Sequence, residues 1–235
     1  MQSKRTCKEG LGSQEGGLYL RGLIHGVRNK TIAAIMRGYG AFTCDDLLSK
    51  DRYEFERSDL LEEGRRIKAR RRIRLGSTFS LLFENRVSIW LQIQEELRWI
   101  ATPLEQRVTE LLDRYNGLLV GNDELCATLF IDSTEADIVE RYATSYTVEQ
   151  LMLTVTLGGS VLRARALEAT SEQLDSVTYL RFAAHSQTSQ VVDTVQWCDP
   201  VRHEQPLLVE MSSALRADLT RGRSTSSLLV PTPML

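Results

Sequence analysis

The segment QLMLTVTLGGSVLRARAL, residues 150–167, constrains the fold more than any other stretch. Two glycines between two alternating runs read as a two-residue hairpin turn, because such turns need positive φ at their central residues. With Gly158-Gly159 as the turn, Val155 faces Leu162, Leu153 faces Ala164 and Leu151 faces Ala166. All six lie on one face. The other face pairs Thr154 with Arg163 and Met152 with Arg165. A slip of one residue would mix the two faces, so burial of the apolar one specifies the register. A chain with this hairpin builds an antiparallel sheet with one apolar side.

Further segments extend that sheet. Residues 72–75 alternate, Gly76-Ser77-Thr78 turns, and Phe79, Leu81 and Phe83 share a face, which predicts a second hairpin. LCATLFI at 125–131 predicts a strand, as does 177–184 with Leu180, Phe182 and Ala184 inward. Helices are expected between the strands. One starts at Thr43, with Asp46 placed to meet its free amides. A second covers about 58–70, with Leu60, Gly64 and Ile67 on one stripe, and a third covers 87–101 with Ile89, Ile93, Leu97 and Ile100. Thr102-Pro103-Leu104-Glu105 is a capping box before a helix carrying Val108, Leu111, Leu112 and Tyr115, which Asn116-Gly117 ends. A short helix is expected at 134–143, and a last one at 207–219 using Leu208, Met211, Leu215 and Leu219. Strands and helices mixed without regular βαβ alternation argue for an α+β fold, an antiparallel sheet with packed helices in a single domain.

That domain is expected over residues 41–219. Residues 1–40 hold eight of the fifteen glycines and show no sustained apolar period, so they read as a poorly ordered extension, with a transit peptide as the alternative. Residues 220–235 read as a flexible polar tail. No run of about 18 apolar residues is present, so no membrane-spanning helix and no membrane partner is expected. Cys7, Cys44, Cys126 and Cys198 form no CxxC pair, which disfavours a zinc ribbon or a cysteine-ligated cluster. These features together predict a cytoplasmic protein.

The charge is unevenly placed. Residues 64–75, GRRIKARRRIRL, carry seven basic side chains and no acidic one, while residues 76–235 carry twelve basic and twenty-one acidic. The run Arg65, Arg66, Lys68, Arg70, Arg71, Arg72, Arg74 can grip phosphates or carboxylates. On a helix, 65, 68 and 72 form one stripe and 66 and 70 another, so one flat surface cannot hold them all. The bland alternative is a solvated helix end neutralised by the acidic remainder of the chain. Glu84-Asn85-Arg86 falls where a strand meets a helix, a place where ligand groups collect. Asn85 is also a good helix cap, and Glu84 can pair with an arginine. Gln94 falls towards the apolar side of its helix, where burial would require a hydrogen bond.

Cys198, Asp199 and His203 lie close in sequence, and His185 and Cys126 can join them in space, so a zinc or iron site is a candidate. No Glu-x-x-His, Walker loop, dinucleotide fingerprint or Gly-x-Ser-x-Gly is present.

TCDDLLSKDRYEFER (43–57), IKARRRIRLGSTFSLLFENRVSIWLQIQEELR (67–98), LDRYNGLLVGNDELCATLFID (112–132) and CDPVRHEQPLLVEMSSALRADL (198–219) together resemble a bacterial family known only as domain of unknown function 3501. The resemblance covers about residues 43–219. It implies no established activity or cofactor. It implies the company of rubrerythrin-like and iron–sulfur oxidoreductase systems, without a role for any residue.

The leading expectation is a non-enzymatic binding or accessory protein. Its surface would comprise Arg66, Arg70, Arg71, Arg72 and Arg74 with Glu84, Asn85 and Arg86, turned to an acidic protein partner or a small anion. A metal-dependent or redox enzyme using Cys198, Asp199 and His203 is the alternative. Nucleic-acid binding through the arginine run is a third, although the clustered exposed aromatics of an RNA-binding sheet are missing: Phe79 and Phe83 read as core.

Overall fold

A computed structural model describes residues 29–100, 105–119, 124–167, 174–187, 193–200 and 206–225. Helix α1 (Lys30–Arg37) is followed by a 3-10 turn (Cys44–Asp46) and the long α2 (Lys50–Arg71). The hairpin β1 (Arg72–Leu75) and β2 (Phe79–Phe83) leads into α3 (Arg86–Trp99) and α4 (Glu105–Asn116). Then come β3 (Leu125–Ile131), α5 (Ala136–Ser145), β4 (Thr154–Leu157), β5 (Ser160–Ala166), β6 (Val177–Gln187), β7 (Thr194–Trp197) and β8 (Leu207–Glu210), and α6 (Ser213–Thr225) follows.

The eight strands form one antiparallel sheet in the order β1-β2-β3-β6-β5-β4-β7-β8. The sheet curls until it is nearly a barrel. Phe79 of β2 meets Trp197 of β7 edge to face, with ring centroids 5.6 Å apart, although the two strands stand second and seventh in the order. One apolar cluster runs from Ile73 and Leu75 on β1, through Phe83, Leu129, Phe182 and Leu162, to Val195 on β7. Helix α6 closes the remaining gap. Its Leu215 and Leu219 enter the same cluster, and its Asp218 lies 3.9 Å from Arg71, the residue that leads into β1.

Helices α1 to α4 cover the outer face of β2, β3 and β6. They form a second cluster that takes in Cys126 and packs against Tyr179 from the outward positions of β3 and β6. Alternation explains the two clusters: Leu125, Ala127, Leu129 and Ile131 point inward while Cys126 points to the helices. At Gly64 the α2 backbone comes so close to Leu91 of α3 that a Cβ there would sit 2.3 Å from its Cδ1. The result is a mixed α+β single domain. No helix among the described residues is long and apolar enough to cross a membrane.

The expected register of the β4–β5 hairpin holds at its turn: Val155 faces Leu162 and Thr154 faces Arg163. Gly158 and Gly159 both adopt positive φ, 57° and 77°. The outer pairs differ. Leu153 accepts from the amide of Ala164 at 3.0 Å, but Glu149–Leu151 is a 3-10 turn and Met152 is left-handed, with φ 48°. Leu151 therefore does not pair with Ala166, nor Met152 with Arg165; on their other edge Ala166 and Arg165 pair with Leu180 and Arg181 of β6.

Three further expectations change. Packed structure starts upstream of residue 41, because Asn29 caps α1 and buries its Ile32 and Ile35 in the helical cluster. Thr43 does form a capping box with Asp46, but over a 3-10 turn; Ser49 then caps a second start, and α2 runs 22 residues. The span 207–219 is not one helix. Leu207–Glu210 pairs with β7, leaving Leu208 67% exposed on the outer face, and only Met211, Leu215 and Leu219 reach the core. Thr102 and Pro103 lie outside the described residues.

Candidate functional site

The arginine run sits at a junction of three elements, and the junction divides it. Basic side chains suit the last turn of α2, where free carbonyls concentrate negative potential. Arg71 ends that turn and is buried. Its Nε donates to the carbonyl of Phe83 at 2.9 Å and its Nη2 to that of Glu84 at 3.0 Å. Burial lowers its pKa, against the opposing pull of Asp218 and the Glu84 carboxylate. Arg71 thus serves the fold. Its two hydrogen bonds satisfy carbonyls at the end of β2 that would otherwise be left without partners.

Glu84, Asn85 and Arg86 are structural in the same way. Asn85 caps α3 by accepting from the amide of Ser88 at 2.8 Å, and the Ser88 hydroxyl accepts from the amide of Asn85 at 2.9 Å. The Glu84 carboxylate accepts from the hydroxyls of Ser88 and of Thr128, the latter at 2.6 Å. Arg86 stacks 4.0 Å over the Phe42 ring and donates to the carbonyl of Gly40, with Asp46 3.9 Å away. It fastens the loop before α2 to the start of α3.

The rest of the run is at the surface. Arg65 and Arg66 pair with Glu62 on their own helix, and Arg66 also approaches Glu63. Arg72 lies 4.4 Å over Phe130 and 3.8 Å from Asp132. Arg70 and Arg74 are exposed, and no carboxylate among the described residues pairs with either. Of the eight residues expected to form one surface, the structure leaves Arg66, Arg70, Arg72 and Arg74 facing solvent around the exit of α2.

The second expected cluster is not assembled among the described residues. Asp199 is buried and accepts from the Tyr142 hydroxyl at 2.9 Å on the barrel side of the sheet. Its neighbour Cys198 is half-buried with its Sγ beside Met152 Sδ, 4.0 Å away. Cys126 is on the opposite side of the sheet, under the helices, where burial pushes its thiol up to about 12 and keeps it protonated. His203 and the side chain of His185 lie outside what the structure describes. No group of three metal-ligating side chains is found among the described residues.

Sequence reasoning missed the polar network inside the helical layer. The Glu95 carboxylate takes two hydrogen bonds from Arg57, at 2.8 and 2.7 Å, and one from the Tyr53 hydroxyl at 2.6 Å. Arg57 holds Glu95 below the ordinary carboxylate range, helped by Tyr53. The Tyr115 hydroxyl donates to Glu96, and burial raises its pKa. The i, i+4 spacing of Tyr53 and Arg57 was the available signal. Arg163, Arg165 and Arg181 also went unremarked as a group, although strand alternation puts all three on the outer face.

A curled antiparallel sheet with a helical buttress, whose buried polar groups mostly brace the fold, defines an α+β domain. The chain belongs to the family described as "Protein of unknown function (DUF3501)", whose model matches residues 41–219. A crystal structure of a novel protein of unknown function from Burkholderia pseudomallei shares the fold, with a TM-score of 0.64 and 23% identity over 77% of this chain and 98% of that one. No curated protein matches.

Proposed function

We propose that this is a non-enzymatic binding protein that engages an acidic protein partner through Arg66, Arg70, Arg72 and Arg74. The supporting observation is the unequal use of the run. Arg71 is consumed by the fold, whereas Arg70 and Arg74 stand exposed with no carboxylate partner among the described residues. Arginines presented in this way bind carboxylates bidentately and steer an oppositely charged protein towards the surface. The family resemblance makes an acidic rubrerythrin-like or iron–sulfur protein the first partner to test.

Titration calorimetry of the full chain against such a protein should show binding at low salt that weakens as salt rises. The pair Arg70→Gln and Arg74→Gln should weaken it by about tenfold or more. Undiminished binding by that double variant would sink the proposal. Stronger binding of a single-stranded oligonucleotide, with a steep salt dependence, would favour the nucleic-acid reading instead.

A further inference from the structure

Arg163 and Arg165 lie on the outward face of β5 and both are exposed, one step short of Leu167, which meets the helical layer. Arg165 stands directly opposite Arg181 of β6. Like charges opposed across a strand pair repel, so this arrangement costs stability unless an anion lies between them. Arg181 is half committed: it donates to the carbonyl of Gly117 at 3.0 Å and lies 3.8 Å from Glu124. Arg163 and Arg165 pair with no carboxylate among the described residues. Their cross-strand neighbours on this face are Thr154 opposite Arg163, Ala183 on its other side, and Gln196 beyond Thr154.

From this arrangement we infer that the outer face of β5, with Arg181 at its margin, is a second docking surface, which takes an extended acidic polypeptide segment. Two features select that occupant. Arg163 and Arg165 are two residues apart on one strand, about 6.5–7 Å, the distance between alternate side chains of an extended chain. Glutamates or aspartates at every second position would meet them in turn, with Arg181 beside the second. The neighbouring Thr154, Ala183 and Gln196 offer no aromatic ring on which a base could stack, as a single-stranded nucleic acid would require. This surface is independent of the one at the exit of α2.

The test uses the full chain and a fluorescent peptide of alternating glutamate and threonine, followed by anisotropy at about 20 mM salt. The pair Arg163→Gln and Arg165→Gln should weaken binding about tenfold or more, while Arg70→Gln with Arg74→Gln should leave it within about twofold. The unfolding midpoint of Arg165→Gln should stay level or rise, because a repulsion is removed. Absence of binding by the wild type, or equal binding by the 163/165 variant, would overturn the inference. So would tighter binding of a single-stranded oligonucleotide of equal charge. A clear fall in the Arg165→Gln midpoint would show that this arginine serves the fold instead.

Discussion

Inside the barrel, Phe79, Leu81, Phe83, Leu129, Leu180 and Phe182 meet other apolar groups. Between α2, α3 and α4 the buried surface is mixed: Ile67, Trp90 and Ile93 share it with the Tyr53–Arg57–Glu95 and Tyr115–Glu96 hydrogen bonds and with buried Gln94. Around these six side chains the barrel interior depends on burial, which pH hardly alters; the Tyr142–Asp199 hydrogen bond is a polar contact on the same side of the sheet. The helical layer depends partly on a carboxylate remaining ionised. Two halves of one domain therefore answer to different perturbations.

The largest effect should come from the barrel. Phe182→Ala removes a fully buried ring and should cost about 3–5 kcal/mol in denaturant unfolding, nearly independent of pH. A pH-dependent cost would break the contrast. Arg71→Ala comes next. It leaves the carbonyls of Phe83 and Glu84 without their donor and removes the cation 3.9 Å from Asp218, at about 3 kcal/mol. The loss should appear at the C-terminal end of α2, because Arg71 ties α2, β2 and α6 together there.

Gly64→Ala should cost about 1–3 kcal/mol, since the added methyl collides with buried Leu91. Amides of α2 and α3 should then exchange faster while those of β3 and β6 stay protected.

Glu95 sharpens the comparison through pH. Its folded pKa is depressed, chiefly by Arg57, so the unfolded chain takes up the proton first as pH falls. The stabilisation is present above the ordinary glutamate range near pH 4.3 and is lost as pH drops through the folded value. Glu95→Gln should cost about 1 kcal/mol at pH 7 and progressively less as pH falls through the folded value, flattening that limb of the stability profile. An unchanged slope would show that the network contributes nothing. The smallest effect is expected at Gln94, whose buried Nε2 has no partner among the described residues; Gln94→Leu should stabilise by up to about 1 kcal/mol.

The strands were legible where alternation met a turn signal. The Gly158-Gly159 register, the 72–83 hairpin and the 125–131 strand all follow from two-residue periodicity, and β3 begins and ends where expected. Leu207–Glu210 misled because Leu208, Met211 and Leu215 also fit a helical stripe; pairing with β7 overrode it. Helix α2 was read too short because its first two turns bury little beyond Tyr53 and so show a weak period. The candidate site was legible as residue types and not as roles. Density of charge could not say that Arg71 would turn inward to two carbonyls while Arg70 stayed in water, since that depends on where the end of β2 comes to lie.

Helix α6 has a consequence for the order in which the molecule is made. Its leucines seal the barrel and its Asp218 meets Arg71, yet it follows all eight strands in the chain. Every strand therefore precedes, along the chain, the helix that completes the barrel cluster. Until α6 joins, the barrel cluster lacks Leu215 and Leu219, and the two edge strands are still open to pairing with other chains. Non-local closure of this kind folds slowly. A chain cut before residue 213 would therefore carry every strand and leave its core unsealed.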